Sequence, residues 1–369
     1  MADIFDYLKS CMDETFAQRT LSDADTLVFS RLAYLPFDGA IESGWRSEIT
    51  VAQAAEMLLA RDGVSEEVMY PRDLDFLREL ARSRRFGQLG LSGYVNIIEQ
   101  NLQMQFSAIT LTLDKNLHYI VFRGTDTTFV GWKEDFNMSF TFPIPSQKNA
   151  LDYIEGAADA FEGPLYVGGH SKGGNLAVYS AAFCRPETQA RIRGVYNHDG
   201  PGFSRDVMSQ SGYKNVADKI HTFVPQSSVV GMLLDHEENY TIVESRQIGL
   251  MQHDLYTWQT EQNGFVCLDR VSESSRLADL TLKEWIGGMS DSQREAFSEA
   301  LYSVLEGSGA STTRELNDNR YKAATAMLKT LKNMDPDTRG AITKTLSQLF
   351  TTVRKNIPVV ASQHRKRQE

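Results

Sequence analysis

Apolar positions recur at helical spacing through the first hundred residues, and then the period changes. Asp25-Thr-Leu-Val-Phe-Ser-Arg-Leu-Ala-Tyr-Leu35 carries a helical stripe that stops at Pro36, since proline removes a backbone donor and ends the helix. Residues 50–61, with Val51, Ala54, Ala55, Leu58 and Leu59 on one face, predict a second helix opened by a Thr50 cap. Residues 73–85 predict a third, whose Arg82, Arg84 and Arg85 read as a solvated helix end. From Phe106 the spacing drops to two: residues 106–113 alternate, Asp114-Lys-Asn116 turns, and residues 117–122 return, which predicts a hairpin. Residues 150–161 are helical again. Strands are expected at 194–198, 220–224 and 240–244, with helix or loop between them. Alternation of this kind implies a mostly parallel sheet with helices on both faces.

From about Val271 only helical spacing remains, over 282–289, 291–305, 319–332 and a last helix from Asp335-Pro336 to about Lys355. Gly307-Ser-Gly-Ala-Ser311 reads as a joint. The expected division is therefore a helical segment at 1–104 packed on the core, an α/β core at 105–270 and a helical region at 271–369.

The chain has 369 residues, enough for a large domain and a smaller one. A net charge of −10 argues against broad nucleic-acid binding. The three cysteines, Cys11, Cys184 and Cys267, form no C-x-x-C pair, which suits reduced thiols in a cytoplasm and offers no metal framework. The first residues lack a signal pattern and no apolar run is long enough to span a bilayer. The expectation is a cytoplasmic protein without a membrane span. The His364-Arg-Lys-Arg367 end reads as a frayed tail rather than a nucleic-acid signal.

The chemistry concentrates in Leu165-Tyr-Val-Gly-Gly-His-Ser171-Lys-Gly-Gly-Asn175. Gly169-His-Ser-Lys-Gly173 fits G-x-S-x-G, between an apolar strand and an Ala-rich helix at 175–183. A serine at the apex of a strand-to-helix turn sits in strained backbone, so its neighbours two before and two after must be nearly without side chains. Its hydroxyl becomes a nucleophile only when an imidazole takes its proton and a carboxylate holds that imidazole. His253, in Gly249-Leu-Met-Gln-His-Asp254, lies in a loop just after the last strand, where such a base belongs. His221 falls inside a strand pattern, and His198 precedes too little chain to leave room for an intervening acid. For that acid Asp199, ahead of Gly200-Pro-Gly202, is preferred, with Asp235 in the next loop as the alternative. Backbone N–H groups of Lys172 and Thr125 are the candidate oxyanion donors, Thr125 following Gly124 at the end of the strand 117–122.

Two spaced motifs carry a resemblance. Phe122-Arg-Gly-Thr125 followed by Gly131-Trp-Lys-Glu-Asp135, together with Gly169-His-Ser-Lys-Gly-Gly174, resembles the class 3 (fungal-type triacylglycerol) lipases over about residues 105–258. Asn-x-Asp-Gly-Pro-Gly, Val-Pro-Gln-Ser-Ser and Gln-His-Asp segments look similar to an uncharacterised bacterial branch of that superfamily. The resemblance implies an α/β-hydrolase fold, with Ser171 as nucleophile, His253 as base and Thr125 at the oxyanion. The lipases place their acid after the strand matching 220–224, where this chain has Ser227 and Ser228. They also carry an apolar residue at Lys172, which suggests a more polar pocket mouth here.

The expected activity is that of a serine carboxylic-ester hydrolase cleaving a lipid or small acyl ester. It needs no cofactor and no metal, and transient contact with a lipid surface is compatible with it. Trp132, Phe136 and Met232 are the candidate substrate-binding residues, core packing being the competing reading. A catalytically silent binding protein and an acyltransferase stand as the alternatives.

Overall fold

The computed structural model describes residues 2–236 and 239–365; Glu237, Glu238 and the last four residues of the basic tail lie outside them. In chain order the strands are β1 (Ile49–Thr50), β2 (Gly90–Glu99), β3 (Met104–Asp114), β4 (Leu117–Phe122), β5 (Leu165–His170), β6 (Ile192–His198), β7 (Ile220–Pro225), β8 (Tyr240–Val243), β9 (Thr260–Glu261), β10 (Gly264–Phe265) and β11 (Cys267–Leu268). Nine form one sheet ordered β1-β2-β3-β4-β5-β6-β7-β8-β11, and β9 pairs with β10. β4 to β8 are parallel neighbours, while β3 with β4 and β8 with β11 run antiparallel.

Parallel neighbours require crossovers, which helices supply. Pro145–Ala160 precedes β5, and Lys172–Phe183 with Pro186–Arg191 joins β5 to β6. Both faces are covered, as alternation along β4 makes plain. Tyr119 meets Phe29 of the helix Asp23–Leu32, whereas Phe122 meets Tyr153 of Pro145–Ala160. A mostly parallel central sheet covered on both faces, with helical segments at either end, is an α/β-hydrolase fold.

Local chemistry sets the helix starts. Ser22 and Asp25 satisfy each other's backbone N–H in a capping box, as do Thr50 with Gln53 and Ser290 with Gln293. Asp335 accepts from the Thr338 N–H at 2.8 Å and opens the final helix, Pro336–Arg365.

Three features depart from the sequence reading. β2 lies within the stretch read as mainly helical; its Gly90 and Gly93 blur the alternation that marks a strand. Residues Phe129–Asn137, which hold the candidates Trp132 and Phe136 but to which the sequence pattern assigns no element, form a helix capped by Thr128. Arg85 is no solvated helix end but is buried, its guanidinium fork donating to both oxygens of buried Asp25 at 2.8 and 2.6 Å. Burial of that charge is tolerated because the carboxylate and four backbone carbonyls satisfy its donors.

By internal contacts the chain forms two units. The first is Met1–Ile97, Phe106–Gly124 and Ser146–Val271; the second is Ile98–Gln105, Thr125–Pro145 and Ser272–Glu369. The helical N-terminal segment thus shares a unit with the sheet. The tip of the β2–β3 turn and residues 125–145 group with the C-terminal helices. In the second unit Trp285, Phe297, Ala300 and Ile342 form a core that Phe136 joins, and the Trp285 indole donates to the Thr345 carbonyl at 2.9 Å.

His198, at the end of β6, ties the sheet to the helix Asp23–Leu32 through Thr26 Oγ1 and Ser30 Oγ, both 3.1 Å away. Burial lowers its pKa from 6.5 to about 3. Above pH 6.5 the ring is neutral whether the chain is folded or not. Below it, the unfolded chain takes up a proton that the folded one refuses down to about pH 3. Stability therefore falls with falling pH across that window, by up to about 1.4 kcal/mol per pH unit. Urea unfolding at pH 7.5 and 5.0 is expected to show the loss, and His198→Asn to reduce its slope by about one proton. An unchanged slope in that variant contradicts the assignment.

Candidate active site

β5 ends at His170 and the next helix starts at Lys172, so Ser171 alone makes the turn, at φ 57° and ψ −133°. For a non-glycine residue that backbone costs on the order of 1–3 kcal/mol and persists only where the surroundings impose it. Here they do. The Ser171 N–H donates to the His198 carbonyl on β6 at 2.9 Å, and the Ser171 carbonyl accepts from the Gly174 N–H at 2.9 Å. The turn is also pressed against the end of β4. A side chain at Gly173 would strike the Phe122 carbonyl, and one at Gly169 would strike Gly173. Both glycines of the motif are thus required by close approach.

Asp199 follows β6 directly, itself at a positive φ of 51°, and is almost fully buried. Its N–H donates to the Phe223 carbonyl of β7 at 2.8 Å. The loop is fastened to the serine's helix, because Asn175 Nδ2 donates to the Pro201 and Gly202 carbonyls at 3.1 Å each. One carboxylate oxygen, Oδ1, accepts from Ser228 Oγ at 2.5 Å and from the Gly231 N–H at 3.1 Å. The other, Oδ2, lies 2.6 Å from Nδ1 of His253. Ser228 follows β7, where the lipase pattern led the sequence reading to look for a carboxylate. The side chain found there braces the carboxylate delivered by the neighbouring strand.

His253 closes the short 3-10 turn Gly249–His253. Its predecessor, buried Gln252, fixes that turn: Oε1 accepts from the Ser227 N–H at 2.6 Å, and the Gln252 carbonyl accepts from the Trp258 indole at 2.8 Å. A carboxylate facing Nδ1 puts the ring proton there, which leaves Nε2 with its lone pair. The His253 ring packs against the His170 ring, centroids 4.3 Å apart, beside the serine. Neither Ser171 Oγ nor His253 Nε2 makes a hydrogen bond to a described residue. The two atoms that a nucleophile and a base need are both uncommitted.

His170 is fully committed. Its Nε2 lies 2.8 Å from the His253 carbonyl, which only accepts, and its Nδ1 lies 2.8 Å from the Tyr34 hydroxyl. The ring therefore carries its proton on Nε2 and accepts from Tyr34 on Nδ1. Burial, and then the proximity of His253, hold its pKa well below the usual histidine value, so it stays neutral.

The other candidates are scattered. Asp235 is not at His253. Its backbone pairs with Phe203, and its carboxylate, partly exposed, sits 3.6 Å from Arg205. Gly124, last residue of its segment in the first unit, abuts the Tyr34 hydroxyl, the His170 carbonyl and the Ser171 Cβ. Thr125, next in the chain, opens a segment of the second unit, and its hydroxyl donates to Asp135 at 2.6–2.7 Å. The Trp-x-x-Asp motif thus engages the threonine side chain. Lys172 is 1 % exposed, so its side chain lies inside the protein rather than at an open polar mouth. Trp132 is exposed, Phe136 packs on Phe297 with centroids 5.5 Å apart, and Met232 is buried.

Sequence reasoning gave no role to Tyr34, Ser228 or Gln252. Ser228 and Gln252 stood inside noted segments, but Tyr34 carried no signal beyond closing an apolar helix. Among the described residues no group of three or more His, Cys, Asp or Glu could hold a metal ion, and no helix is long and apolar enough to cross a membrane.

A family described as Mbeg1-like matches residues 80–303, more than half of the chain. Among solved structures the chain is similar to a triacylglycerol lipase described as having a serine protease triad at its catalytic centre. The identity is 16%, over 59% of this chain and 77% of that one, with a TM-score of 0.36. It is similar also to a Rhizomucor miehei lipase in a propeptide complex (16% identity, 59% and 67% covered, TM-score 0.34). M37 lipase shows 14% identity, 56% and 67% covered, and a TM-score of 0.36. No curated protein matches.

Proposed function

The chain belongs to the Mbeg1-like family, and from that premise and the geometry above we propose that it is a serine ester hydrolase acting on a lipid or small acyl ester. The observation that carries the reading is the Asp199–His253 pair at 2.6 Å, set beside a strained serine turn with the far ring nitrogen uncommitted. Ser171 Oγ attacks the ester carbonyl as its proton passes to His253 Nε2. Asp199 holds the ring and stabilises the imidazolium. The Lys172 N–H receives the oxyanion. Collapse of the tetrahedral intermediate expels the alcohol, protonated by His253, and leaves an acyl-enzyme. Water, deprotonated by the same imidazole, then releases the acid and restores Ser171. That Ser171 Oγ and His253 Nε2 share no hydrogen bond is compatible with this scheme, since such hydrogen bonds commonly tighten only when substrate binds. Met232, buried beside Gly231, is proposed to line the path of the acyl group.

A fluorophosphonate probe tests the reading. One covalent adduct on the peptide that contains Ser171, with release of p-nitrophenol from short acyl esters, is the expected result. Folded protein that takes up no probe and turns over no ester overturns it and leaves a binding protein on a hydrolase fold.

A further inference from the structure

The Tyr34 hydroxyl comes from the N-terminal helical segment, 136 residues before its partner His170. It reaches the turn beside the serine, where a side chain at Gly124 would strike it. Its ring lies under the Arg31 guanidinium, 4.9 Å from the centroid, and Arg31 is locked in a buried pair with Asp73. Tyr256, three residues after His253, donates to the same Asp73 at 2.6 Å. The segment that holds Tyr34 and the loop that carries His253 are thus anchored on one buried ion pair.

Resting on the hydrolase reading, we propose that Tyr34, acting through His170, is a positioning residue for the base His253. An imidazole that accepts on Nδ1 must carry its proton on Nε2, and that proton is the one given to the His253 carbonyl. The His253 carbonyl keeps the proton on Nε2, but without the tyrosine hydroxyl the buried Nδ1 lone pair has no donor and the ring is free to turn. Turning lengthens or breaks the hydrogen bond from Nε2–H to the His253 carbonyl. The backbone of His253 is released, and with it the direction of Nε2 towards Ser171. Asp199 still holds Nδ1, so the base is retained but poorly aimed, and small errors of aim are costly in an attack geometry.

Tyr34→Phe keeps the ring under Arg31 and removes only the hydroxyl. In the full chain it is expected to lower kcat for p-nitrophenyl esters about tenfold with little change in KM. Fluorophosphonate labelling should slow by the same factor. The ¹⁵N resonance of His170 Nδ1 should move downfield as it loses its donor, and the Nε2–H proton should move upfield as its bond to the His253 carbonyl weakens. His170→Gln, whose amide can still donate to the His253 carbonyl, should retain more kcat than His170→Leu, and this pair decides the matter if Tyr34→Phe does not fold. Unaltered kcat together with an unaltered ring signature in Tyr34→Phe overturns the proposal, as does equal activity of the two His170 variants. If the parent protein neither labels nor turns over ester, the hydrolase reading falls separately. The ¹⁵N comparison then still decides whether Tyr34 holds the His170 ring on the His253 carbonyl.

Discussion

Ser171→Ala is expected to bring ester turnover down about 10⁶-fold in kcat and to abolish fluorophosphonate labelling, while leaving the fold intact. Loss of chemistry follows because the proposed acyl-enzyme forms on this hydroxyl alone. Retention of the fold follows from the hydroxyl's lack of a hydrogen bond to a described residue, so its removal orphans no buried partner. The backbone remains at φ 57° with either side chain. Ser171→Gly, by contrast, removes the Cβ that makes this conformation costly, and should melt at or above the parent temperature although it is equally inactive. Hydrolysis and thermal melting of the three proteins check both halves. An alanine variant that keeps more than about one hundredth of the parent rate places the nucleophile elsewhere.

Asp199→Asn is expected to cost about 10⁴-fold in kcat at neutral pH. The new amide can present its N–H to His253 Nδ1, which moves the ring proton to Nε2. A base that already holds a proton there cannot take one from serine. The rest of the environment tolerates the change, because the amide oxygen of the variant can go on accepting from Ser228 and Gly231. Asp235→Asn supplies the contrast. Its carboxylate faces Arg205 near the surface, and its loss should alter the rate by no more than about twofold. Equal effects from the two substitutions would mean that the acid is not specified by the contact with His253.

The parts of this molecule that were legible in the sequence are those written in neighbouring residues. The strand, glycine-flanked serine and Ala-rich helix at 165–183 announced their own geometry, because steric demands at a tight turn act over four or five positions. Asp199 was picked out by Gly200-Pro-Gly202, a local turn. The alternative acid could not be set aside, since choosing between Asp199 and Asp235 depends on which loop bends back to residue 253. Ser228 was seen only as a missing carboxylate, for nothing beside it tells that its hydroxyl meets a group 29 residues earlier. Tyr34 was invisible for the same reason on a larger scale. Arg85 misled because a charge at a helix end is ordinarily solvated, and its partner Asp25 lies 60 residues away. β2 escaped because glycine at 90 and 93 removes side chains from the very alternation that signals a strand. The grouping of residues 125–145 with the C-terminal helices is likewise a long-range fact with no trace in local pattern.

Eight strands of the main sheet stand in the order in which they occur in the chain, with β11 added at the far edge. A ribosome releasing this polypeptide from its N-terminus thus presents each new strand to a neighbour already emerged, and no gap waits to be filled from behind. Ser171 reaches its bend while β6 is still being made, and residue 253 is synthesised after both Ser171 and Asp199. On the proposed reading the Ser171 hydroxyl stays an inert alcohol until that loop arrives, so reactivity is withheld until the central sheet is nearly built.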